Sequence, residues 1–155
     1  MTSIRPLAKD ILRAAALLPL SVARAATALK GRAPHRSRGL LHAGTGILLG
    51  AVALVLVGTE LLVIARGALY GFVDQGPYDH SWGGPTLAGA WLVHFLASLP
   101  VVAGALGLLW FIAHLDDRLG ARFVRGERTG AWALPAALLL PAGAVVFVIA
   151  WIHQL

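Results

Sequence analysis

The stretch from Ala43 to Ala65, AGTGILLGAVALVLVGTELLVIA, carries a single ionisable residue, Glu60, in 23 positions. As a helix it would be about 35 Å long, enough to cross a bilayer core of about 30 Å with some tilt. A helix this long and apolar on every side has no face to offer water. It predicts a first transmembrane span, and the neighbouring segments take their places from it.

Two further runs have the same character. Leu87 to Ala113 is apolar and contains Pro100, which should bend it. Ala131 to Ile152 is apolar with Pro135 and Pro141, predicting a kinked third span. Thr86 is placed to cap the second helix. With 58% of residues apolar and only 13% charged, composition supports the same class, an all-α polytopic integral membrane protein. The chain has no cysteine, which excludes disulfides, zinc–thiolate sites, iron–sulfur clusters and thiol catalysis.

The net charge of +6 is unevenly spread. Eight of the 13 Lys and Arg residues precede His42, four lie between His114 and Gly130, and only Arg66 sits elsewhere. Positive residues stay on the cytoplasmic side. Residues 1–42 and the 114–130 loop are therefore expected in the cytoplasm, with the 66–86 loop and the C-terminus outside, in the plasma membrane. Residues 43–152 form the transmembrane domain, with spans at about 43–65, 87–113 and 131–152.

Ile4 to Lys30 is basic on one sector and apolar on another. Its longest charge-free run, Ala14 to Ala23, is ten residues and includes Pro19, too short to span. It predicts an N-terminal amphipathic interfacial helix, with Arg5, Lys9, Arg13, Arg24, Arg36 and Arg38 meeting anionic lipid headgroups. A signal peptide and a tilted fourth span compete with this reading. Against the first, Arg24 interrupts the small-residue pattern at Ala23–Ala25 and more basic residues follow. Against the second, Arg13 and Arg24 bracket too little apolar length.

The polar residues inside the spans point to a candidate site. Glu60 lies about 8 Å below the outer end of its span, and His94 about 10 Å below the same boundary on the antiparallel second span. Glu60 shares a face with Gly46 and Ala53. His94 shares one with Ala90, Ala97, Ser98 and Ala105. Small residues mark close helix approach, so both side chains are expected to point inward. Three uses compete for the Glu60, His94 and Ser98 group: a proton-handling or ligand site, a hydrogen bond that joins helices, and a Glu60 that reaches toward Arg66 or the headgroups. Gly46 and Gly50 form a GxxxG packing motif with Ala53 on the same helix, and Ala90 and Ala97 are its counterparts on the second span.

Asp74, Asp79 and His80, with His153, supply oxygen and imidazole ligands for a divalent metal, though without HExxH or another known spacing. Solvated loop residues are the simpler reading. Asp79-His80-Ser81 is not a hydrolase triad, because triad members converge in space rather than in sequence. Haem would need two inward histidines at one depth. His42 and His114 lie at the cytoplasmic ends, but His114 faces away from His94, so no cofactor is indicated. Phosphate-loop, dinucleotide and nucleic-acid motifs are absent, which argues against a nucleic-acid partner.

Together these features lead us to expect a non-enzymatic accessory or interaction subunit that packs against itself or a membrane partner. The alternative is an oligomeric proton-coupled transporter or channel protomer using Glu60 and His94.

Overall fold

The computed structural model describes residues 4–31 and 36–153. Among them the chain is all-helical: α1 (Ile4–Ala15), α2 (Leu17–Lys30), α3 (Arg36–Gly67), α4 (Tyr70–Val73), α5 (Leu87–Phe123) and α6 (Ala133–Ile152). Three of these, α3, α5 and α6, are long and apolar enough to cross a membrane.

The N-terminal region is two helices where the sequence suggested one. They meet at Ala16 with a bend of 63°. Pro19 explains the break. It has no N–H to give Ala15, and its ring would crowd that carbonyl in a continuous helix. Placed in the first turn of α2 it costs nothing, because first-turn N–H groups have no intrahelical acceptor. Pro135 is tolerated for the same reason near the start of α6, whereas Pro100 and Pro141 lie inside α5 and α6.

α5 is also longer than expected. It runs ten residues past the anticipated end at Ala113, to Phe123, and takes in much of the expected cytoplasmic loop. Ile112, Leu115 and Leu119 repeat at helical spacing and are fully buried. The helix closes where Gly126 turns left-handed at φ 72° and the Glu127 N–H reaches back to the Ala121 carbonyl. At the other end Thr86 caps as expected: its Oγ1 accepts from the Gly89 N–H at 3.2 Å.

The chain divides into two compact units, residues 1–55 with 109–155, and residues 56–108. In the first, α2 lies antiparallel along the early part of α3. Leu18 faces Gly50, Ser21 faces Gly46 and Ala28 faces Gly39. A Cβ on Gly50 would sit 2.5–2.6 Å from the Leu18 backbone, and one on Gly46 would collide with the Ser21 hydroxyl. The GxxxG motif therefore joins α3 to α2 of the same chain, and Ala53, fully buried, continues its face. In the same unit Trp132 stacks on Phe111 with the Arg118 guanidinium 5.2 Å from its ring centre.

The second unit is built around aromatic rings. Tyr70, on α4, is buried and stacks on His94 with ring centres 4.0 Å apart. Trp91 meets Phe72 edge-on and donates its indole N–H to the Ala68 carbonyl at 3.2 Å. Gly67 lies against Ser98 and Gly71 against the Trp91 ring, so a side chain at either would displace one. Trp82 is exposed, whereas Tyr70 is a core residue.

Candidate functional site

The most heavily bonded buried group is a carboxylate that the sequence reading did not single out. Asp116 is 4% exposed, on the part of α5 that extends beyond the expected span. Its Oδ1 accepts from Arg24 Nη1 at 3.0 Å and from His42 Nε2 at 3.0 Å, and Arg24 Nη1 also reaches Oδ2 at 3.1 Å. Three helices thus contribute one residue each: α2 gives Arg24, α3 gives His42 and α5 gives Asp116. Thr45, one turn above His42, turns its hydroxyl back to the Leu41 and His42 carbonyls. Gly120 leaves room for the His42 ring, since a Cβ there would sit 3.2 Å from its Cε1.

Burying an aspartate is costly unless charge and hydrogen bonds compensate it. Here both are supplied. The next residue, Asp117, faces the other way and pairs with Arg13 through two hydrogen bonds, but in a more exposed setting. Arg13 and Arg24, expected at lipid headgroups, are thus drawn against aspartates of their own chain. Lys9, Arg36 and Arg38 are exposed. The Arg5 side chain lies outside the described residues.

A signal for this cluster was present in the sequence. Asp116 and Asp117 are adjacent acids in an otherwise basic segment, at the same end of the spans as His42. Matching them to Arg13 and Arg24 required knowing that α2 folds back along α3.

Glu60 is buried at 7% exposure, as its position predicted, but its Oε1 has no hydrogen-bond partner. His94 does not supply one. Its Nδ1–H donates to the Ala90 carbonyl at 2.8 Å and its ring is held by Tyr70. Ser98 donates within its own helix, to the Phe95 carbonyl at 2.7 Å. Matching depth therefore does not become a hydrogen bond between Glu60 and His94. Ala90 is fully buried beside His94, while Ala97 is exposed.

Asp74, Asp79 and His80 are not gathered into a ligand set. Asp74 Oδ1 accepts from the Gly76 N–H at 3.0 Å, a turn interaction, and its carbonyl accepts from the Tyr78 hydroxyl at 2.8 Å. Among the described residues no three His, Asp or Glu side chains converge as metal ligands would. His114, considered for haem, accepts from Arg118 Nε at 3.0 Å and stacks on Trp110.

Built of helices with no strand among its described residues, and with three helices able to cross a bilayer, the chain is a small polytopic membrane protein. Comparison with protein families, with curated proteins and with solved structures finds no match.

Proposed function

We propose that this protein is a non-enzymatic accessory or interaction subunit of the plasma membrane. Its N-terminus lies in the cytoplasm, its C-terminus outside, and its partner is a second copy or another membrane protein among anionic lipids. One observation carries the reading: the buried ionisable groups of the first unit, His42 and Asp116, are engaged with Arg24 in joining helices to one another. Arg24, His42 and Asp116 tie three helices together. The distribution of Lys and Arg supports the orientation.

The test is purification from native membranes in mild detergent, with the particle mass measured and companions identified by mass spectrometry. A particle larger than one protomer, or a stoichiometric companion, is expected. A lone protomer with no companion would count decisively against the proposal.

A second reading, an oligomeric proton-coupled transporter or channel protomer, is favoured by the unpartnered Glu60 carboxyl. Here Glu60→Gln and His94→Ala should each abolish flux in reconstituted vesicles. Unchanged flux in both variants removes it.

A further inference from the structure

Where α2 ends and α3 begins, the first unit holds an open hollow of about 330 Å³. Arg24, Thr27 and Ala28 line it from α2, Arg36, Gly39 and His42 from α3, and Val124 closes one side. Its charge is unbalanced. The acids of this unit are already engaged: Asp10 and Asp117 with Arg13, Asp116 with Arg24 and His42, and Glu127 with Arg125. Arg36 makes no ion pair or hydrogen bond among the described residues. Arg24 meets Asp116 through Nη1, which leaves Nε and Nη2 for a second acceptor.

The wall at Gly39 lies near the start of α3, where the positive end of a 32-residue helix adds to the charge of the arginines. Two guanidinium groups around one hollow, near the positive end of α3, favour an oxyanion with several acceptor oxygens. Ala28 and Val124 add apolar surface beside it. A carboxylate would satisfy one fork, whereas a phosphate presents enough oxygens for both arginines.

We propose that this hollow binds the phosphate group of an anionic phosphate ester, with Arg36 and the free edge of Arg24 as its principal ligands. The same chemistry is offered by an anionic phospholipid headgroup and by a soluble phosphate. Basic pockets between helices on the cytoplasmic side of membrane proteins are suited to the former. This inference is independent of the subunit reading above, since the site is complete within one chain.

The control is built into the sequence. Arg38 lies two residues from Arg36, is also exposed, and does not line the hollow. The full chain in detergent micelles is titrated with phosphatidylglycerol, phosphatidylcholine and inorganic phosphate, and bound species are counted by native mass spectrometry. R36A should weaken binding at least about tenfold, the scale of a lost charge-assisted hydrogen bond. R38A should stay within about twofold, the scale expected of a screened surface charge. R36K, keeping the charge without the fork, should fall between R36A and the unmodified chain.

This ranking with phosphatidylglycerol alone assigns a lipid headgroup, and the same ranking with inorganic phosphate assigns a soluble phosphate. Equal losses in R36A and R38A would mean diffuse surface charge and overturn the proposal. So would phosphatidylcholine binding as tightly as phosphatidylglycerol, or no binding of either anion.

Discussion

The two units solve the problem of holding helices together in different ways. In residues 1–55 with 109–155, glycines let backbones touch and a buried carboxylate ties three helices by charge. In residues 56–108 the contacts are ring on ring and indole on carbonyl, and Glu60 is buried with an oxygen unpartnered. Lipid tails are as apolar as leucine, so neither unit gains from the hydrophobic effect between its spans. Close packing and hydrogen bonds must do that work. The first unit uses both on its helices and leaves only hydroxyls, Ser21 and Thr129, without a partner among the described residues. The second leaves a carboxyl oxygen of Glu60 without one.

Three sets of variants break or sharpen this contrast. The largest effect is expected at the carboxylates of the first unit. Asp116→Ala leaves Arg24 and His42 facing each other without their acceptor and should cost about 3–5 kcal/mol of stability, as for one partner removed from a buried pair. Asp117→Ala breaks a pair in a more exposed setting and should cost under about 1 kcal/mol. Denaturation of the detergent-solubilised chain followed by circular dichroism checks both. Equal losses would mean that burial does not distinguish the two acids.

Next come the glycine contacts. Gly50→Val drives a side chain into the Leu18 backbone and should cost about 3 kcal/mol, at the upper end for overpacking. Gly67→Ala in the second unit meets the Ser98 side chain, which can rotate away, and should cost about 1 kcal/mol. Thermal unfolding of the two variants side by side tests whether the backbone seam is the stiffer device.

The smallest effect is expected at Gly104 and Gly107, where an added Cβ meets nothing within 4 Å. Alanine at both should leave the stability of the protomer within about 0.5 kcal/mol, the scale of a surface change. Particle mass is the informative measurement. If the double variant changes the assembly and not the protomer, α5 presents this face to a partner.

The spans were legible because bilayer thickness sets their length and the solvent sets their composition. What lay beyond the membrane was harder to read. HLDDRLGARF looked like a loop because of its charge, yet Leu115 and Leu119 continue the helical spacing of Ile112, and that period outweighed the charge. Pro19 carried the signal for a break between α1 and α2 that the expectation of one amphipathic helix passed over, and nothing local signalled the fold-back of α2. That depends on Gly46 and Gly50 recognising Ser21 and Leu18, a contact between segments that no local pattern encodes. Glu60 and His94 show the converse. Depth along a helix follows from counting residues, whereas rotation about it is set by what packs there, and Tyr70 held the His94 ring.

The partner that neutralises Arg24 lies 92 positions further along the chain. During synthesis α2 emerges early, but its guanidinium cannot meet this carboxylate until the end of α5 has been translated. The packing of α2 on α3 can therefore form before the charge pair that locks it. A chain ending before residue 116 would keep the glycine seam between α2 and α3 but leave the Arg24 guanidinium without its acceptor.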